Sequence, residues 1–320
     1  LGFQKSKTFN FGFEGYFFGQ KLGLEANAFL TKRTDLIIQR STYPAYVFNS
    51  VPYENFNEDD YKGIEAGLVW KVGKKDLGVD LGVNMLYSTS LQKKVDEARA
   101  EEYLNRQGRP TDAMFGLEAI GLFDSWETIE NSPEQSYSAV QPGDIRYKDQ
   151  NNDGIINDED MIYVGNSSAR LFFGFSILVH YKNFSLFALG TARQGGSSYN
   201  NNAYYFMQGE SKYSAEVYNS WTEDTKSTAT YPRLTYGNNT NNYRNSTFWL
   251  YKDNSLRLER VQLNYDIPAR ISDVLFSKYI SVFLRGENLL MVAKDAKKRQ
   301  LVIGGEPNYR SFLLGLKVNF

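Results

Sequence analysis

Apolar and polar residues alternate with a period of two through most of the chain. Phe9, Phe11, Phe13, Gly15 and Phe17 alternate with Asn10, Gly12, Glu14 and Tyr16. After Gly19-Gln20, Leu22, Leu24, Ala26, Ala28 and Leu30 alternate with Gly23, Glu25, Asn27, Phe29 and Thr31. Two such runs joined by a short polar turn predict a β-hairpin. A polar stretch from about Arg40 to Asp60 follows. In the next hairpin Ile64, Ala66, Leu68, Trp70 and Val72 share a face, Gly73-Lys-Lys-Asp76 turns, and Leu77, Val79, Leu81, Val83, Met85 and Tyr87 return. A third pair, Leu171 to Tyr181 and Phe184 to Thr191, turns at Lys182-Asn183. A fourth joins Phe248 to Ile267 with Tyr279 to Val292 through Pro268 to Lys278. Its first strand changes parity between Leu256, Leu258 and Val261, Leu263, Tyr265, which predicts a bulge near Glu259-Arg260. The last strand, Ser311 to Phe320, sets Phe312, Leu314, Leu316, Val318 and Phe320 on one side.

The connections alternate between tight turns and long excursions. Ser88 to Ser168 is one excursion, with helical character over Lys93 to Gln107; Gln194 to Thr247 is another, rich in Asn, Tyr, Ser and Gly. Insertions of that length usually carry function. Short turns at one end and long loops at the other are the habit of an outer-membrane barrel, with the long loops outside the cell. The large apolar and small polar faces suit a wall between lipid and water, although a soluble sandwich would alternate in the same way over shorter strands. The count is about nine strands, and nine strands with two free edges cannot close at membrane depth. The remaining strands are therefore expected upstream of Leu1 or from another chain. Leu1 reads as the middle of a protein, with no initiator Met or signal peptide.

Composition removes several alternatives. Among 320 residues, 36 Lys and Arg balance 37 Asp and Glu, so no electrostatic case for nucleic acid exists. Cysteine is absent and His180 is alone, which excludes disulfides and Cys- or His-cluster metal sites. Mean hydropathy is −0.48, and no apolar run is long enough for a transmembrane helix. Aromatic content is 15%, with 23 Tyr and 22 Phe; Tyr and Trp near strand ends fit interfacial girdles.

One stretch carries a metal-type spacing. Asp149, Asn151, Asp153, Asn157 and Asp160 occupy positions 1, 3, 5, 9 and 12 of a twelve-residue loop, Gly154 position 6, and Ile155 would offer its carbonyl at position 7. Ca²⁺ takes roughly six to eight hard oxygen ligands in such a loop. Asp160 replaces the usual bidentate Glu, and no EF-type helices flank it. An ion-free Asx-rich turn is the competing reading. Bound Ca²⁺ would brace an extracellular loop and do no chemistry. Elsewhere no nucleophile elbow, phosphate loop or paired carboxylates are evident. His180 falls on the polar parity, facing the lumen, and Glu159 is expected to be solvated. Tyr204, Tyr205, Tyr213, Tyr218, Trp221 and Trp249 populate or border the second long loop. They are candidates for stacking on sugars, clamping peptides or packing against a partner.

At this point the chain resembles a family. Met114-Phe-Gly-Leu-Glu-Ala-Ile-Gly-Leu-Phe123, Pro142-Gly-Asp-Ile-Arg-Tyr-Lys-Asp149, the calcium-type loop and Ile162-Tyr-Val-Gly165 stand in an order similar to that of SusC/RagA-type TonB-dependent outer-membrane transporters. Leu256-Arg-Leu-Glu-Arg-Val-Gln-Leu-Asn-Tyr-Asp-Ile-Pro268, Arg285-Gly-Glu-Asn-Leu289 and the terminal Phe320 resemble the end of their barrel. The resemblance runs from about Lys7 onward and implies the C-terminal part of an all-β, antiparallel transmembrane barrel of about 22 strands. It places residues 1–320 in that barrel and 88–168 in a long extracellular loop. The plug, the TonB box and the first strands are not in this sequence. It further implies the outer membrane of a Gram-negative cell, outer-membrane lipid around the wall, a SusD-like surface lipoprotein and the TonB–ExbB–ExbD complex as partners. The expected function is import of oligosaccharides or peptides, with no enzymatic activity. A passive porin or a structural platform is the alternative.

Overall fold

The computed structural model describes residues 1–43, 51–207, 209–210, 213–237, 239–268, 277–294, 296–300 and 307–319. Nine antiparallel strands form one sheet in chain order: β1 Lys5–Phe17, β2 Leu22–Gln39, β3 Tyr53–Lys74, β4 Leu77–Lys94, β5 Leu171–Tyr181, β6 Phe184–Gln194, β7 Ser255–Asp266, β8 Tyr279–Val292 and β9 Ser311–Asn319. Each strand pairs with its sequence neighbour in this list, leaving β1 and β9 at the edges. The tight turns gather at one end. Lys75 (φ 47°) and Lys182 (φ 52°) adopt left-handed backbone there, as two-residue hairpin turns require. No helix is long and apolar enough to cross a membrane, which says nothing of strands.

Register turns the alternation into a surface. Trp70 pairs with Leu81, Leu81 with Ile177, Ile177 with Ala188 and Ala188 with Val261. Phe11, Ala28, Ile64, Tyr87 and Leu171 form a parallel row nearer the long loops. Val79, Val83 and Phe173 lie on the same side. Phe11 is 79% exposed and Leu314 73%, so these residues cover no protein core. The opposite side carries Glu25, Glu65, Asn84, Ser176, His180, Thr191, Arg257 and Arg285. This is an all-β wall built for lipid outside and water inside. Tyr181, Phe184 and Tyr265 cluster beside the tight turns, the Phe184 and Tyr265 rings 4.7 Å apart, where an aromatic girdle belongs.

The expected bulge is present. Leu189 faces Arg260 while Gly190 faces Leu258, so Glu259 is the extra residue. Gly190 has a packing reason. A Cβ there would stand 2.0 Å from Cζ of Phe175, whose ring lies flat across the strand.

Three sequence expectations fail in detail. The polar stretch after Arg40 yields to strand at Tyr53. Lys93 to Gln107 holds no α-helix: β4 runs to Lys94, and one 3-10 turn spans Glu102–Leu104. Capture of local polar groups explains this. Buried Asp96 accepts from Arg40 Nε (2.8 Å) and Thr42 Oγ1 (2.6 Å), and Glu97 accepts from the backbone N–H groups of Arg106 and Gln107. Burial alone would raise the Asp96 carboxyl, but the bonds from Thr42, Ser41 and Arg40 outweigh it and hold the group well below the usual carboxylate range. Finally, the strand expected from Phe248 starts at Ser255; Leu250–Lys252 pairs instead with Ser197–Tyr199. Phe320 lies outside the described residues.

Candidate functional site

The two long excursions fold together into a crown above the wall. Ala113–Gly116 pairs with Ile162–Asn166, Ala119–Leu122 with Ile145–Tyr147, and Glu134–Gln135 runs parallel to Ile155–Ile156. Leu117, Ile145, Tyr147, Ile156, Met207, Tyr231 and Trp249 form a buried core drawn from both excursions. Trp249 meets Phe206, Tyr231 and Phe248 edge-on and donates its Nε1–H to the Asn242 carbonyl at 2.7 Å.

A polar network runs through this core. The fully buried Asp144 carboxylate lies 2.7 Å from Arg233 Nε and accepts from Asn239 Nδ2 (2.9 Å), Asn242 Nδ2 (2.8 Å) and the Gln141 backbone N–H (2.8 Å). Gln135 donates to the Ile145 carbonyl and to Asn241, and accepts from the Tyr147 N–H. A buried charge is tolerated when its lone pairs are matched in this way. The sequence blocks that carry the family resemblance, around Leu117 and Ile145-Arg-Tyr147, are the scaffold of this core.

In the 149–160 loop, Asp149 accepts from the N–H groups of Asn152 (2.7 Å) and Gly154 (3.0 Å). Asn151 accepts from Asp153, and Asp153 from Ile155. Asn157 caps a 3-10 turn over Asp158–Asp160 by accepting from Glu159 (2.6 Å). Asp160, fully buried, accepts from Gln150 (2.7 Å) and Asn157 (2.8 Å). Gly154 sits at φ +87°, as position 6 demands. Among the described residues no three or more His, Cys, Asp or Glu side chains stand close enough to hold a metal ion. The surroundings are nonetheless acidic. Burial, reinforced by Glu101, Asp160, Glu159 and Asp149, raises the Tyr103 hydroxyl to about 12.

The loop aromatics divide. Trp221 is buried over Gly143, where a Cβ would sit 2.5 Å from Cε3 of its ring, so Trp221 holds the crown together and presents no face to a ligand. Trp249 is buried likewise, and Tyr205 packs against the core. Tyr204 is half-buried, edge-on to Tyr205 at 5.1 Å. Tyr213 and Tyr218 point outward, Tyr218 at 87% exposure. Sequence reasoning missed Tyr236 and Trp126, which are equally outward. Their flanking polar residues offered no signal.

Below the crown, the inner wall holds a cavity of ≈ 650 Å³ lined by Glu25, Glu65, Asn84, Thr191, Arg257 and Glu259 among others. Thr191 donates to Glu259 at 2.8 Å. Arg260 pairs with Glu287 at 3.0 Å. Side chains of both signs suit a hydrated passage.

Comparison with known proteins agrees with this architecture. The family model described as TonB dependent receptor-like, beta-barrel matches residues 4–171. TonB-dependent receptor P26 from Formosa agariphila is 28% identical over 309 residues, covering 91% of this chain and 30% of that protein. The structure of the RagAB peptide transporter superposes with TM-score 0.73 at 19% identity, over 99% of this chain and 35% of that chain. The RagAB peptide importer in its open-open state gives 0.74 at 19% identity, over 100% and 35%. This chain thus spans about a third of the length of these relatives. With over half of its residues matched and a wall that faces lipid on one side and water on the other, the chain belongs to the TonB-dependent receptor-like β-barrel family, whose members are outer-membrane receptors and transporters and not enzymes.

Proposed function

We propose that the complete protein is an outer-membrane nutrient importer, energised through TonB–ExbB–ExbD, that takes up oligosaccharides or peptides with a SusD-like surface lipoprotein. The observation that carries this reading is the packed crown over a polar inner wall. A passive pore needs only an open mouth, whereas a rigid crown offers a surface on which a capturing partner can sit. The solved relatives with the same fold are named as a peptide transporter and a peptide importer, which favours peptides between the two substrate classes. The outward Tyr213 and Tyr218 are the side chains of this crown best suited to that partner, because aromatic residues are enriched at interfaces.

Uptake by the full-length receptor in its host is the test. Labelled oligopeptides and oligosaccharides should accumulate in cells with TonB, and accumulation should fall to the level of receptor-deficient cells when TonB is deleted. Uptake that survives the deletion would identify a passive porin. Uptake of neither class in TonB-competent cells that display the receptor would end the nutrient reading.

The 149–160 loop is proposed to bind one Ca²⁺ through Asp149, Asn151, Asp153, the Ile155 carbonyl, Asn157 directly or through water, and Asp160. The twelve-residue spacing, the left-handed Gly154 and the acidic surroundings support it. Each carboxylate has about four acceptor sites and spends two on N–H groups. Metal binding would need the three carboxylates to turn toward one centre. In limited proteolysis of the full-length receptor, chelator should accelerate cleavage near residues 149–160, and added Ca²⁺ should reverse it. Identical cleavage with and without chelator would refute the site.

A further inference from the structure

Just beyond the apolar belt, at the crown end of the wall, the outward surface turns basic over β1, β2 and β3. Two adjacent rows show it. In one, Phe9, Leu30, Lys62 and Thr89 are cross-strand partners; in the next, Lys7, Lys32, Asp60 and Leu91. Lys5 stands one step further, opposite Thr34. The parity is that of Phe11, Ala28 and Ile64, so the ammonium groups emerge on the lipid-facing side and not into the lumen.

This arrangement calls for a partner. Lys7 and Lys32 are directly opposite, with Cβ atoms about 5 Å apart, and Lys62 is the diagonal neighbour of Lys32. Like charges so placed repel. Lys5 is satisfied by Asp35 at 2.7 Å. Asp60 stands opposite Lys32 and beside Lys62 on β3, while Lys7 lies one strand further away on β1. Lys7, Lys32 and Lys62 are exposed. Nearer the tight turns, in the Phe11 row and the row after it, β5–β7 carry Leu171, Ala192 and Leu256 outward, so this basic cluster stands on β1–β3 above the belt.

We infer that Lys7, Lys32 and Lys62 form a binding site for the phosphorylated headgroup of an outer-leaflet lipid. The belt beneath them fixes the depth: a lipid whose chains lie along Phe11, Ala28 and Ile64 brings its headgroup to these rows. Flexible lysine stems reach along the apolar surface while the ammonium stays at the polar boundary. An anion shared by three ammonium groups also removes the repulsion between them.

The test uses the full-length receptor in non-ionic detergent, with lipid binding read by native mass spectrometry. The probe is a bis-phosphorylated glucosamine lipid (lipid A), compared with the same lipid after enzymatic dephosphorylation. The wild type should prefer the phosphorylated form by about tenfold or more. The triple variant Lys7→Gln, Lys32→Gln, Lys62→Gln should lose that preference, and the triple Lys→Arg variant should keep it. Heat-modifiable gel migration verifies that each variant is a folded barrel. A preference that persists in the Gln variant, or no preference in the wild type, overturns the site. Inorganic phosphate that displaces the lipid at equal concentration overturns the lipid assignment, since it would show a free-anion site.

Discussion

Replacing Asp144 with alanine in the full-length receptor should destabilise the crown by about 3–5 kcal/mol, because Arg233 then loses its buried counter-charge. The expectation follows from the carboxylate's position. It is fully buried, and it also collects N–H bonds from Asn239, Asn242 and Gln141. Each of those donors would be left unmatched in a site too tight to admit bulk water. Asp144→Asn should cost less, since its carbonyl can still accept, yet it abolishes the charge pairing. The wall shares little of this core, so the barrel should remain assembled. Hydrogen exchange should therefore rise across 113–166 and 231–249 while the strands of β3 and β4 stay protected. Unchanged exchange in the crown of Asp144→Ala would show that the network is not what holds the two excursions together.

The same core explains what the sequence could and could not reveal. Period-two alternation exposed the wall because every other strand residue meets lipid, and the same signal returns in each wall strand from Phe9 to Val318. The Glu259 bulge was visible as a change of parity within one strand. The crown was not visible as a folded unit, because its strands are two to five residues long and too short for any period. Its core is assembled from residues far apart in the chain, as when Gln135 meets Asn241. Lys93 to Gln107 misled for a related reason. Its apolar spacing is helical, but Asp96 and Glu97 spend their carboxylates on local N–H groups and on the end of β2. Trp221 and Trp249 read as surface aromatics by composition alone, yet burial decides their role, and burial depends on contacts such as Gly143 under the Trp221 ring. The 149–160 loop was the one part of the crown with a strong local signature, since its geometry is set by Asx and glycine positions within twelve residues.

The second large effect concerns the lipid face. Leu81→Arg should cost about 2–4 kcal/mol of barrel stability, the range for a cationic side chain near the bilayer midplane. Leu81 lies four residues past the start of β4 at Leu77, next to the tight turn. At about 3.4 Å per residue and a tilt near 40°, that is roughly 10 Å into a belt roughly 25 Å tall. Its cross-strand partners are Trp70 and Ile177, so no carboxylate is within reach to compensate the charge. Asn84, three residues further on the same strand, provides the matched control because it faces the cavity on the inner wall. Asn84→Arg places the same charge in water near Glu25 and Glu65 and should shift stability by no more than about 0.5 kcal/mol. Refolding of both full-length variants into lipid vesicles, followed by denaturant titration, measures the difference. Equal costs at the two positions would mean that the alternation does not separate lipid from water. A large cost at Leu81 alone would fix the sidedness of the whole sheet, because cross-strand register ties every other residue of the wall to that position.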